Sequence, residues 1–398
     1  MIDFNKSKRL IERFHQAIGL QWINQTGISE QTLNQALTIQ SIPAPTFDEY
    51  QRANYVRDAF VGYGLADIDI DDLGNVYGRL NADYSTQQPT KHDGVMVVAH
   101  TDTVFPHETD LTVQYKDDRI YGAGLGDNSL GVAGLLSLID CIQQLKYKLA
   151  RDIWFVATTR EEGLGDLGGM RGAFERLKDQ IGAVLNIEGM SYGYIYHEGI
   201  AVRRLKVTAH AEGGHSWANF GHTSAIHGIV QLGAKITALK PPNNPRTTYN
   251  IGVIEGGTSI NTIATEASFA LDMRSESSEA LAIFEGKIRD EIKRMTTDKM
   301  RFDVEIVGDR PSGQIAVDHP YVKMSMRALE LVGTKGLLAT GSTDGNISLA
   351  GGCPTVTLGV TTGDNAHRLD EYIQADSIPL GIYHMVLVLA GLALVFEE

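Results

Sequence analysis

The sequence predicts an α/β protein with a mostly parallel sheet, interrupted by a smaller ferredoxin-like α+β domain. Three observations carry that expectation. At 398 residues the chain is too long for one comfortable core. Short apolar runs, Val95–Ala99, Ile153–Ala157, Ala183–Ile187 and Pro354–Leu358, alternate with helix-periodic segments, as strands buried on both faces of a parallel sheet do. Between them, from about residue 201, apolar and polar residues alternate strictly, and the elements run βαββαβ.

Taken in order, Leu10, Ile11, Phe14 and Ile18 recur at helical spacing. A second helix from about Ser29 is stopped by Pro43 and Pro45, and a third runs from about Asp48 to Val61. Ile68–Asp71 and Val76–Leu80 form a hairpin around Asp72–Asn75, followed by a polar loop, Asn81–His92. The strand at Val95–Ala99 then ends in His100-Thr101-Asp102. A glycine-rich stretch, Gly122–Gly131, carries Asp127 and leads into a helix with Leu135, Leu138, Ile139, Ile142 and Leu145 on one face. The next two apolar strands end at Arg160-Glu161-Glu162 and at Glu188. The insertion follows, with strands around Leu205–Ala211, Tyr249–Glu255, Ala267–Arg274 and Phe302–Val307 and two intervening helices. A helix near Pro320–Val332, the strand Pro354–Leu358, a loop with His367 and a last helix through Ile382, Met385, Leu389 and Leu392 complete the chain. The expected division is 1–200 and 310–398 for the sheet domain and 201–309 for the insertion.

Composition narrows the function. A formal charge of −14 argues against nucleic acid, whose phosphates require a basic surface, and leaves carboxylates available for cations. Polar residues break every apolar run near the start, and no run reaches the roughly 18 residues of a spanning helix. The expectation is a cytoplasmic protein with no membrane contact. Cys141 and Cys353 form no metal or disulfide pattern and read as buried small hydrophobes.

Five potential ligands, His100, Asp127, Glu162, Glu188 and His367, follow buried strands or lie in the glycine loop. They converge only if those strands are parallel neighbours. Two imidazoles and three carboxylates suit zinc, with cobalt or manganese as substitutes, and a carboxylate such as Asp127 can bridge two metals. Taken singly, each has a plainer role: a hydrogen-bonded histidine, a helix cap, a solvated Glu161-Glu162 pair. That plainer role is assigned to His92, His107, His197, His222, His227, His319 and His384. Gly163, Gly165 and Gly168 spell the GxGxxG of a nicotinamide- or flavin-dependent oxidoreductase. Glu161, Glu162 and Asp166 would face the pyrophosphate there, so the charge is of the wrong sign.

Together these residues resemble the di-zinc exopeptidases and deacylases that include peptidase T, glutamate carboxypeptidase, acetylornithine deacetylase and succinyl-diaminopimelate desuccinylase. The resemblance rests on Asp71-x-x-Gly-Asn75, His100-x-Asp102, Gly124-x-Gly126-Asp127-Asn128, Glu161-Glu162 and Glu188-Gly189. It extends through Gly214-His215-Ser216, Asn261, Asp272-x-Arg274, Ala366-His367 and Glu371. It implies two Zn2+ ions, one on His100 and Glu188, the other on Glu162 and His367, with Asp127 bridging and a cis peptide after it. Asp102 would orient His100, and Glu161 would act as general base on water activated by the metals. His215 would stabilise the oxyanion, while Asn261 and Arg274 would clamp a substrate carboxylate. The insertion would be a lid and the contact of a homodimer. The implied substrate is a small peptide or N-acyl amino acid. Glu188 implies a carboxypeptidase or deacylase, whereas Asn365-Ala366-His367 is similar to peptidase T. The rival from another class is a metal-binding relic without turnover, which would have no reason to retain Glu161.

Overall fold

The computed structural model describes residues 4–83 and 93–394. His92, and most of the polar loop expected around it, lie outside the described residues. The chain divides into two compact units, Met1–Gly199 with Gln314–Glu398, and Ile200–Gly313.

The first unit is built on a sheet whose centre runs Ile153–Thr158, Gly94–His100, Ile181–Glu188, Thr355–Gly359. These four strands are mutually parallel, with Val97 opposite Phe155 and Leu185, and Thr357 opposite Asn186. Ala66–Ile70 and Val76–Leu80 extend one side as an antiparallel hairpin. Tyr194–Gly199 extends the other side, with Leu337–Gly341 parallel to it.

The central strands are apolar throughout because both faces are covered. Val95, Val97, Ala99, Phe155, Leu185 and Leu358 face a core shared with helices Ile28–Gln40, Leu130–Leu145 and Ile378–Ala393. Their neighbours Met96, Val98, Trp154, Val156 and Val184 pack with Met170, Ala173 and Leu177 of helix Gly168–Leu177. One run of sequence therefore feeds two cores by strand alternation. Leu125–Leu145 and Ala375–Ala393 are long and apolar enough to cross a membrane, but most of their surface is buried within this unit.

The second unit is a four-stranded antiparallel sheet in the order Thr247–Gly256, Glu266–Ser275, Ala201–Ala211, Met300–Arg310. Helices Ala225–Thr237 and Ser278–Met295 share one core with it, through Leu205, Val207, Phe269, Leu271, Ile229, Leu232, Phe284 and Ile288. This is the ferredoxin-like arrangement.

Several details differ from the sequence reading, among them a separate sheet of four short strands, Gln114–Lys116, Arg119–Tyr121, Thr362–Asp364 and Tyr372–Gln374. Cys353 is half-buried rather than buried, because it sits in the turn before Thr355–Gly359. Tyr194–Gly199 and Leu337–Gly341 are strands that no apolar run announces, since the edge strand Leu337–Gly341 has no buried residue.

The last helix, Ile378–Ala393, lies close to the sheet; a Cβ at Gly381 would stand 2.0 Å from the Val360 carbonyl oxygen. Its His384 is buried, with Nε2 3.1 Å from the Ser325 carbonyl. Burial pulls this imidazole down to about 4, against the Ser325 bond, which raises it. The unfolded chain, titrating near 6.5, takes the proton first. His384 therefore contributes full stability above pH 6.5 and loses it as pH falls toward 4. Replacing His384 with Gln, which keeps a donor for Ser325, is expected to flatten the urea-midpoint profile between these limits. An unchanged profile would contradict the assignment.

Candidate metal centre

The carboxyl ends of the parallel strands, with two loops that pass over them, gather the chemistry of the first unit. His100 closes its strand fully buried. Its Nδ1 lies 3.2 Å from the Asp102 carbonyl oxygen and 3.5 Å from Asp102 Oδ1. Its Nε2 lies 3.2 Å from Asp127 Oδ1 and 3.6 Å from Glu188 Oε2. His367, on a left-handed residue of the loop after Thr355–Gly359, brings Nε2 to 3.1 Å from Asp127 Oδ2 and 3.0 Å from Glu162 Oε1. The two oxygens of Asp127 thus face one histidine each. Ligand atoms of His100, Asp127 and Glu162 all lie within 4.8 Å of one another.

This crowding shifts the ionisations. Burial disfavours charge on His100, yet its bonds to Asp102, Asp127 and Glu188 hold it well above the usual imidazole range. Bonds to Asp127 and Glu162 raise His367 to about 10. Burial pushes Asp127 up, but the two histidines bring it well below the carboxylate range. Burial raises Glu162, the His367 bond opposes it, and the charge on Asp127 adds to the rise. Protonated imidazoles of His100 and His367 balance the carboxylates that touch them here. Divalent cations would supply that charge without the protons, and imidazole with carboxylate is the donor set that zinc, cobalt and manganese accept.

A second set of bonds fixes the backbone that bears these groups. Asp102 accepts the Glu161 N–H at Oδ1 and the Glu162 N–H at Oδ2, both at 2.9 Å, and the Thr46 hydroxyl at 2.9 Å. Burial would raise its pKa; His100 and these amides lower it further than burial raises it. Glu371 accepts the N–H groups of Gly124, Gly126 and Asp127 at 3.2, 2.7 and 3.0 Å. Burial and the nearby Asp127 push Glu371 up to about 8, against those backbone bonds. The peptide between Asp127 and Asn128 is cis, and the Asn128 amide bonds the Ile187 carbonyl and the Gly189 N–H, at 2.8 and 2.9 Å. Asp71-x-x-Gly-Asn75 forms a turn in which Asn75 Oδ1 accepts the Thr159 N–H at 3.0 Å. The GxGxxG segment folds tightly over the same residues, since a Cβ at Gly165 would stand 2.6 Å from the Arg160 carbonyl oxygen.

Within the second unit, His215 and Asn261 sit together. His215 pairs with Thr262 in a two-stranded ladder, and the Ser216 N–H donates to the Asn261 carbonyl at 3.0 Å. His215 Nδ1 accepts from the N–H groups of Trp217 and Ala218, at 3.2 and 3.3 Å, which assigns the ring proton to Nε2. Arg274 lies elsewhere, on the four-stranded sheet, its Nε 2.8 Å from Asp272 Oδ2.

Three further residues lie around the centre, and two of them, Arg52 and Glu49, have no counterpart in the sequence reading. Arg52 is buried and donates to the carbonyls of Ile42 and Thr101, both at 2.8 Å. Burial lowers its guanidinium to about 10, while Asp102 and Glu371 act to raise it. Glu49 accepts the Arg160 N–H at 3.0 Å. Asp344, pushed up to about 7 by burial, takes a 2.5 Å bond from the Thr158 hydroxyl. The signal available for the first two was a charge on an apolar helix stripe, since Glu49, Arg52, Val56 and Phe60 share a buried face.

The sequence profile of peptidase family M20/M25/M40 matches residues 96–390, and the chain belongs to that family, whose members hydrolyse amide bonds. A succinyl-diaminopimelate desuccinylase from Corynebacterium glutamicum is 25% identical over 346 residues, covering 85% of this chain and 90% of the relative. The aminopeptidase PepT of Bacillus cereus superposes with a TM-score of 0.73 at 22% identity, over 92% of this chain and 98% of that one. A Bacillus subtilis protein described as a dinuclear metal-binding peptidase of the M20 family gives 0.66 at 14% identity, over 92% and 98%.

Proposed function

We propose that the protein is a di-zinc hydrolase of small peptides or N-acyl amino acids. One observation carries the reading: the Oδ1 and Oδ2 atoms of Asp127 face His100 and His367 separately, at 3.2 and 3.1 Å. That is the disposition a bridging carboxylate needs. In this reading His100 and Glu188 would hold one ion, Glu162 and His367 the other, with Asp127 shared by both; cobalt or manganese could replace zinc. Bound there, such ions would supply Lewis acidity, which lowers the pKa of water from about 15.7 toward about 7.

The chain's own residues do the rest. Glu161, buried beside Glu162 and held through its backbone by Asp102, takes a proton from the attacking water and delivers it to the leaving nitrogen. Asp102 keeps His100 oriented. His215, with Nδ1 occupied by backbone N–H groups, offers Nε2–H to the developing oxyanion. Asn261 and Arg274 hold a substrate carboxylate, Arg274 through its planar fork.

The proposal includes a cytoplasmic homodimer. Thr247–Gly256 is an edge strand of the second unit, with Val253 and Ile254 49% and 60% exposed, an edge that a second copy would cover.

Two experiments test this reading. Chelation should abolish hydrolysis across a panel of dipeptides, tripeptides and N-acyl amino acids, and Zn2+, Co2+ or Mn2+ should restore it. Glu161→Gln should keep its metal and lose roughly 10²–10⁴-fold in kcat. Activity that survives complete metal removal would sink the mechanism. For the assembly, sedimentation should give a dimer that Ile254→Lys converts to monomer; a wild-type monomer would refute it.

A further inference from the structure

Four consecutive backbone N–H groups leave the end of strand Ile153–Thr158, and each is captured by a buried side chain. Thr159 donates to Asn75 Oδ1 at 3.0 Å, Arg160 to Glu49 Oε1 at 3.0 Å, and Glu161 and Glu162 to the two oxygens of Asp102 at 2.9 Å. Arg160 has φ +57°, a left-handed conformation uncommon for a residue other than glycine. The chain enters Glu161 and Glu162 through that residue. The same Glu49 oxygen also accepts the Phe47 N–H at 3.0 Å, so one atom ties the Pro43–Glu49 segment to the turn at Arg160.

The start of helix Tyr50–Gly62 acts on both sides of the centre. Arg52 binds the carbonyl of Thr101, between His100 and Asp102, while Glu49 binds the amide just before Glu161. Thr46 adds a third tie, through its hydroxyl to Asp102 Oδ2 at 2.9 Å. Glu49 is itself buried, 4% exposed.

We infer that Glu49 is a positioning residue for the hydrolysis: its buried carboxylate holds Arg160 in the left-handed turn that aims Glu161 and Glu162. The inference rests on the roles proposed above for those two glutamates. What the turn requires is an acceptor oxygen at the reach of a glutamate. Charge is secondary, because both bonded hydrogens sit on a single oxygen.

Three full-length variants, Glu49→Ala, Glu49→Gln and Glu49→Asp, test it. Each is titrated with Co2+ after chelation, followed by visible absorption, and assayed on a peptide the wild type cleaves. Glu49→Ala is expected to lose about 10–100-fold in kcat, with KM within about threefold, and to weaken one of two Co2+ sites by about tenfold. Glu49→Gln, which keeps the acceptor, is expected to stay within about fivefold of wild type in both readouts. Glu49→Asp keeps the charge but withdraws the oxygen, and is expected to behave like Glu49→Ala. Should Glu49→Ala fail to fold, the order of Gln above Asp still decides. Asp above Gln, or a folded Glu49→Ala with wild-type kcat and Co2+ spectrum, overturns the inference alone. A wild-type chain that takes up no Co2+ overturns the metal reading and this inference with it.

Discussion

Negative charge gathered in a poorly hydrated place is the constraint on which the first unit depends. Asp127, Glu162 and Glu188 converge beside His100, and Asp102, Glu371, Glu49 and Asp344 lie buried around them. Two like charges 4 Å apart repel by about 4 kcal/mol at an effective dielectric of 20. The structure divides the burden by environment. Asp102 and Asp127, bonded to histidines, are drawn below the carboxylate range, while burial lifts Glu49, Glu162, Glu371 and Asp344. Backbone amides and the Arg52 guanidinium absorb part of the remaining charge, and His100 and His367 absorb more as imidazolium. Cations at the same place would relieve what is left.

That solution needs a rigid frame, because the compensating groups come from segments far apart in sequence. The parallel strands bring His100, Glu188 and the Arg160 turn to one edge. The sheet tolerates no slack there: a Cβ at Gly189 would stand 2.1 Å from the Gly126 carbonyl oxygen, and one at Gly169 would stand 2.1 Å from that of Thr159. Glu371 and Asn128 then tether the Asp127 loop, through three N–H groups and through Ile187 and Gly189.

How much of this was legible in the sequence follows the same physics. Val95–Ala99 and Ile153–Ala157 announce themselves because strands buried on both faces must be apolar throughout. Leu337–Gly341 does not, since an edge strand carries no such requirement. His100, Asp127, Glu162, Glu188 and His367 stand out because each follows a buried strand or sits in a glycine-rich loop, and the structure brings all five together. Glu49 and Arg52 were invisible as site residues because their work is done on backbone atoms 111 and 49 positions away, which leaves no local pattern. The trace they leave is a charge where a helix stripe should be apolar. His215 and Asn261 could be picked out only by resemblance; their pairing through Ser216 and the occupied Nδ1 of His215 belong to the fold.

The most direct measurement of the central claim is X-ray absorption spectroscopy, with elemental analysis, on protein purified without chelator. The account predicts about two transition-metal ions per chain, with imidazole scattering and a shell of nitrogen and oxygen only, since neither Cys141 nor Cys353 is among the proposed ligands. Protein that carries no transition metal, or a metal with sulfur in its shell, would contradict it.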